Sequence, residues 1–108
     1  MSEYQNNNFI KLSRKILDWE WYTDEHTKTL FIHCLLKANW KKGSFRGVSV
    51  KRGEFITSLQ NLANETGLSV QSVRTAIKHL ELTGEIESKN IKFGRLITVV
   101  NYEMYKGV

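Results

Sequence analysis

The stretch that most constrains how this chain can fold runs from Ser58 to Gly84. Apolar residues recur there at helical spacing in two segments. Gly67 stands between the segments, where a helix end needs a residue with positive φ. Ser58 and Ser69 each precede one segment, and serine is a favoured N-cap. Two helices joined by a tight glycine turn make a helix-turn-helix, whose second helix can enter a DNA major groove.

The second helix, predicted over about residues 70–83, has two different sides when its residues are placed about 100° apart. One side is apolar and is expected to face the core, and it holds Val70, Val73, Ala76, Ile77 and Leu80. The opposite side and its flanks carry hydrogen-bonding groups and positive charge but no carboxylate. With the cap residue, they give the candidate DNA-binding side chains Ser69, Gln71, Ser72, Arg74, Thr75, Lys78 and His79. The alternative interpretation is an ordinary solvated helix.

The chemistry of these side chains suggests individual roles. Gln71 can form two hydrogen bonds with adenine and Thr75 can contact a thymine methyl, so both are assigned to base edges. Arg74 is assigned mainly to phosphates. A structural alternative for Arg74 is an ion pair with Glu65 or Glu81.

The residues after Gly84 predict a two-stranded hairpin. Glu85–Ser88 alternates in polarity, Lys89–Gly94 is the predicted turn, and Arg95–Asn101 is rich in β-branched residues. A helix-turn-helix followed by such a hairpin is a winged helix. Its tip, at about residues 88–95, adds four candidates for phosphate or minor-groove contacts: Lys89, Asn90, Lys92 and Arg95. A turn that only increases solubility is the alternative.

The N-terminal half is predicted to supply the supporting core. Ser13 is expected to cap a short helix, and Asp24 to cap a longer one that runs to about Trp40 and is apolar on nearly all sides. Lys41–Gly47 is a predicted basic loop. The remaining elements are an extended segment and two short strands, Phe9–Leu12, Val48–Val50 and Phe55–Thr57.

Charge is unevenly distributed along the chain. Basic and acidic residues balance over residues 1–40, so the net charge of +5 comes from residues 41–108. Between Lys41 and Gly53 there are basic residues and no acidic one. This asymmetry indicates a polyanionic partner, and double-stranded DNA fits the helix-turn-helix.

Other classes of protein are disfavoured. Cys34 is the only cysteine, so no intrachain disulfide is possible, and no apolar run approaches the ~20 residues that span a bilayer. Met1–Asn8 is not a signal peptide, so a cytoplasmic protein without membrane association is expected. No P-loop, GxSxG, CxxC or HExxH motif is present, and the three histidines lie on separate predicted elements. We therefore expect neither an enzyme nor a bound cofactor or metal.

The sequence thus predicts an α+β fold, a winged helix-turn-helix of three to four helices with a C-terminal β-hairpin wing. Residues 1–8 are expected to be a flexible N-terminus, residues 9–105 the DNA-binding domain, and residues 106–108 a tail.

Several stretches of the sequence resemble known protein families. Residues 58–86 resemble the winged helix-turn-helix of many bacterial regulators, including those of the GntR type. With the flanking motifs ILDWEWY, KRGEFITS and ITVVNYE, about residues 9–105 are similar to the N-terminal domain of phage and prophage replication initiation proteins. These are the DnaD-like replisome organisers of Gram-positive bacteria.

This resemblance implies DNA binding at an origin or fork, self-association, and recruitment of helicase-loading replication proteins. It also implies that the DNA-binding face includes the residues that match the recognition helix of the family: Gln71, Ser72, Arg74, Thr75 and Lys78. Family members commonly continue into a C-terminal DnaD domain, and this sequence stops before one, as a short member or an excised domain would.

Two alternatives remain open. The first is an interaction or oligomerisation module whose contact surface includes Leu82 and either Phe9–Leu12 or the Thr98–Asn101 edge. The second is a transcriptional regulator that uses the same helix face.

Overall fold

A computed structural model of the chain describes residues 9–106. This part is an α+β domain with three α-helices and two small antiparallel sheets. The helices are α1 (Glu25–Lys37), α2 (Leu59–Thr66) and α3 (Val70–Leu82). The strands are β1 (Gly43–Phe45), β2 (Val48–Val50), β3 (Glu54–Thr57), β4 (Ile86–Ile91) and β5 (Gly94–Val99). Short 3-10 helices cover Arg14–Asp18 and Tyr102–Met104.

Helix α1 begins where the sequence predicts and ends earlier. The Asp24 side chain accepts a hydrogen bond from the Thr27 backbone N–H at 3.1 Å, which confirms the predicted N-cap. The helix ends after Lys37 because the hydrogen-bond donors of Asn39 have a partner outside the helix. Both its backbone N–H and its side-chain amide donate to the Glu54 carbonyl oxygen, at 3.0 and 2.8 Å. The helix is not buried on all sides, since Leu36 is 62% exposed.

The two helices of the predicted helix-turn-helix are confirmed, together with the turn between them. Ser58 Oγ caps α2 by accepting from the Asn61 N–H at 3.0 Å. Gly67 has φ of 77°, a left-handed conformation that favours glycine over any residue with a Cβ atom. Ser69 Oγ then caps α3 by accepting from the Ser72 N–H at 3.0 Å.

The predicted basic loop at Lys41–Gly47 is wrong, because part of it is a strand. Strand β1 pairs with β2 in an antiparallel hairpin, and Phe45 lies opposite Val48. The two turn residues, Arg46 and Gly47, both have positive φ, at 49° and 82°. That conformation is typical of the tight two-residue turns that connect short hairpin strands.

The second hairpin is longer and tighter than predicted. Its turn is only Lys92–Phe93, whereas residues 89–91 belong to β4 and pair with β5. Strand β5 also pairs with β3, so the sheet order is β3-β5-β4. Gly94 has φ of 139°, and a Cβ atom there would collide with the Thr57 carbonyl oxygen. The close approach of β3 therefore requires glycine at the start of β5.

The core lies between the helices and one face of this sheet. It includes the fully buried side chains of Leu30, Leu35, Leu62, Val73, Leu80, Ile86 and Ile97. At its edge the Trp19 ring packs against Phe31 at a centroid distance of 5.0 Å. The extended N-terminal segment pairs with the end of the described chain at one isolated β-bridge, between Ile10 and Lys106.

The order of elements is compatible with a winged-helix-like fold, in which a helix-turn-helix is followed by a β-hairpin. Within residues 9–106, no helix is long and apolar enough to cross a membrane.

Candidate nucleic-acid interface

Helix α3 lies with its apolar side in the core, as its periodicity predicts. Val73, Ala76, Ile77 and Leu80 are buried there. Val70, at the helix start, is half-buried. The orientation of the whole helix is therefore set by the hydrophobic side, which leaves its other side facing outward.

The outward side of α3 exposes the side chains Gln71, Arg74, Thr75 and Lys78. The Gln71 amide lies 3.5 Å from Thr75 Oγ1, at the outer limit of a hydrogen bond, so neither polar group is committed to a strong internal partner. Arg74 forms no ion pair among residues 9–106, and the alternative pair with Glu65 is not formed. Glu65 instead bonds His33 Nε2 at 2.8 Å.

Two of the predicted site residues form the helix cap. Ser69 Oγ accepts the Ser72 backbone N–H and also donates to Ser72 Oγ at 3.0 Å. Ser69 is exposed and Ser72 is half-buried. Their first role in the fold is therefore to hold the start of α3.

The assignment of His79 to the outward face is wrong. Its ring stacks on Trp21 at 4.2 Å between centroids, with planes 6° apart. Its Nδ1 atom lies 2.9 Å from Thr27 Oγ1 and 3.4 Å from an Asp24 carboxylate oxygen. The N-terminal end of α1 therefore packs against the flank of α3 at His79, which periodicity within α3 alone could not reveal.

Trp21 fixes the last turn of α3 at a second point. Its indole Nε1–H donates to Thr83 Oγ1 at 2.8 Å. Thr83 Oγ1 also bonds the Glu85 carboxylate, which accepts the Trp19 indole N–H at 3.2 Å as well. No pattern in the sequence indicates that Trp21 orients α3.

The predicted wing residues lie on two different faces of the hairpin. Asn90 and Arg95 are opposite each other in the β4–β5 pairing, on the face that holds Ile97, and Arg95 donates to Ser88 Oγ at 2.9 Å. Lys89 alternates with them and lies on the other face. Lys92 is in the turn. The prediction that all four side chains form one tip is therefore wrong.

Two carboxylates border the outward side of α3: Glu81, which is exposed near the C-terminal end of the helix, and Asp24. Asp24 contributes to a shallow cavity of about 190 Å³ whose lining also includes His26, Gln71 and Thr75. A hydrogen bond from the Thr27 backbone N–H holds the pKa of Asp24 below its usual value. The negative charges of Asp24 and Glu81 oppose the approach of a polyanion to α3, whereas the positive charges of Arg74 and Lys78 attract it.

Residues 9–106 contain no group of three or more histidine, cysteine or carboxylate side chains that could hold a metal ion. Comparison of the chain with protein-family models, curated proteins and solved structures finds no match.

Proposed function

We propose that this chain is a winged-helix DNA-binding domain. Helix α3 lies in the major groove, and the β4–β5 hairpin is the wing that contacts the backbone or minor groove. Gln71 and Thr75 meet base edges, and Arg74 and Lys78 meet phosphates. Of the wing residues, Lys92 in the turn and Asn90 and Arg95 on one face are suited to the same duplex.

The observation that carries this proposal is the composition of the exposed side of α3. Gln71, Arg74, Thr75 and Lys78 are exposed there, and the one carboxylate of the helix, the exposed Glu81, lies near its C-terminal end. Ser69 fixes the start of the helix and Trp21 its end. A rigid, cationic helix surface with free hydrogen-bonding groups is what groove recognition requires.

Fluorescence anisotropy with random duplex DNA at about 50 and 200 mM salt tests the proposal. We expect binding that weakens steeply with salt, and Lys78→Ala should make the salt slope shallower by about one. Lys11→Ala is the matched control, since Lys11 lies in the N-terminal segment beside Tyr105. A folded sample that fails to bind duplex at the lower salt concentration would rule out α3 as a DNA reader in the isolated chain.

The biological setting we propose is replication initiation in a phage or prophage, and it rests on the resemblance of ILDWEWY, KRGEFITS and ITVVNYE to that family. A transcriptional regulator would use the same groove chemistry. Binding to replication-origin fragments, compared with promoter fragments of the same source, separates the two roles.

The alternative of an interaction module is favoured by one exposed apolar residue, Leu82, which is 79% exposed at the end of α3. The Thr98–Asn101 edge does not support it, because β5 is the central strand and Thr98 pairs with neighbours on both sides. The mass of the chain in solution, with and without DNA, tests self-association. A dimer that Leu82→Ser converts to a monomer would favour this alternative.

A further inference from the structure

The β1–β2 hairpin contacts the turn of the β4–β5 hairpin. The Phe45 and Phe93 rings meet edge to face at a centroid distance of 6.5 Å. The Arg46 guanidinium lies over both rings, at 5.2 and 5.3 Å from their centroids. Two hairpins that are far apart in sequence are thus joined by an aromatic and cationic contact.

This contact belongs to a larger surface, which we call the aromatic–basic patch. It consists of Trp40, Lys41, Phe45, Arg46, Lys92 and Phe93. The three rings are large and remain 38%, 47% and 37% exposed for Trp40, Phe45 and Phe93. The Lys41 ammonium lies 5.1 Å from the Trp40 ring centroid. Exposed rings of this size, grouped with cations, indicate a binding surface.

A cleft opens beside the patch, with a volume of about 450 Å³. Trp40 and Phe45 line it together with Lys37, Lys41 and Lys42. No acidic side chain of the described part of the chain is in this lining. Its volume lies in the range of about 300–1,000 Å³ that is usual for sites that hold small organic groups.

We propose that the aromatic–basic patch binds single-stranded nucleic acid. Unpaired bases stack on the exposed rings, and the lysines and Arg46 meet the backbone phosphates. This combination of stacking rings and a positively charged groove is how single strands are held without sequence preference. In a duplex the bases stack on each other and cannot stack on the exposed rings. A duplex would therefore contact this patch through its cations alone.

The site is separate from the outward side of α3, and the proposal does not rest on duplex binding. The patch is formed by the segment after α1, the β1–β2 hairpin and the wing turn, and it shares only Lys92 with the proposed duplex interface. A chain that uses both surfaces would favour a junction where duplex DNA meets a single strand.

Anisotropy of a labelled oligothymidylate of about 20 nucleotides tests the proposal, with a phosphate-matched abasic oligomer and polyglutamate as competitors. We expect the oligothymidylate to bind and both competitors to displace it poorly. The double substitution Phe45→Ala/Phe93→Ala should weaken binding by about tenfold or more, the loss expected for removing a base–aromatic stack. Phe9→Ala is the matched control, because Phe9 is 41% exposed in the N-terminal segment.

Arg46→Glu provides a second variant that leaves both rings in place, and it should also weaken binding by about tenfold. Circular dichroism checks that each variant is folded. Absence of oligothymidylate binding, or equal binding by the wild type and both folded variants, overturns the proposal. Displacement by polyglutamate as effective as by oligothymidylate also overturns it, in favour of an acidic protein partner. The Phe45→Ala/Phe93→Ala variant is also tested with duplex DNA. If it still binds duplex, loss of oligothymidylate binding concerns the aromatic–basic patch and not the proposed α3 interface.

Discussion

Neighbouring side chains on α3 differ in whether they are exposed or held by contacts within the domain. Lys78 is exposed, whereas His79, the next residue, is held by Trp21 and Thr27. Gln71 and Thr75 make only one long contact with each other. In the proposed interface, base contacts are therefore assigned to side chains at the start and middle of the helix.

At the residue scale, Gln71→Ala should relax sequence preference. If Gln71 forms two hydrogen bonds with one adenine, the loss of discrimination is about 1–3 kcal/mol at that base pair. Binding to a panel of single-base variants of a selected site measures it. Gln60→Ala is the control, since Gln60 is exposed on α2 and bonds Asn64. A panel whose ranking is the same for Gln71→Ala and the wild type would remove Gln71 from base contact.

At the element scale, the N-cap of α1 makes stability depend on pH. The pKa of Asp24 is lowered by the Thr27 backbone N–H that its carboxylate accepts. Because the folded-state pKa lies below the unfolded value of about 3.9, the carboxylate stabilises the fold above that pH. This stabilisation is lost as the pH falls through the lower, folded-state pKa.

Asp24→Asn should therefore lower the thermal midpoint at pH 7, and the difference from wild type should shrink as the pH approaches about 3. Asn keeps a capping oxygen, so the change isolates the charge. Asp18→Asn is the control, because the Asp18 side chain is exposed and its carboxylate forms no hydrogen bond or ion pair within residues 9–106. A difference that stays constant from pH 7 to pH 3 would contradict this account.

The start of β5 is a second element that depends on one residue. Gly94→Ala places a Cβ atom against the Thr57 carbonyl oxygen and in a backbone conformation suited to glycine. We expect a loss of about 1–3 kcal/mol in the free energy of unfolding, measured by urea denaturation. Gly43→Ala is the matched control, since a Cβ there meets nothing within 4 Å. Equal midpoints for both variants would show that β3 and β5 can move apart.

How much of these elements the sequence predicts depends on where their determinants lie. The caps and the Gly67 turn are local, so α2 and α3 were predictable within a residue or so. Strand β1 has only three residues, all exposed, and carries no periodic pattern to detect. Lys89 and Asn90 are polar in an exposed part of β4, so they resembled a turn. The position of His79 depends on its contact with Trp21, which is distant in sequence. The residue pattern of α3 alone therefore cannot predict this contact.

At the scale of the whole molecule, Cys34 reports on opening of the core. The thiol is fully buried, and burial raises its pKa to about 12. Reaction with a thiol reagent at pH 8 should be at least about 1,000-fold slower in the folded chain than in denaturant, because it must wait for opening. Rapid labelling under native conditions would show that α1 detaches without global unfolding.

The strand order has a consequence for how the protein is made. Among residues 9–106, β5 is the last strand in sequence and the middle strand of its sheet, so β3 and β4 have no common partner until β5 is made. A ribosome that has translated as far as β4 has already produced α1, α2 and α3, but the sheet that supports them still lacks its central strand. The helix surface that we propose for DNA therefore gains its full support only after residues 94–99 have been translated and have inserted between the two strands made earlier.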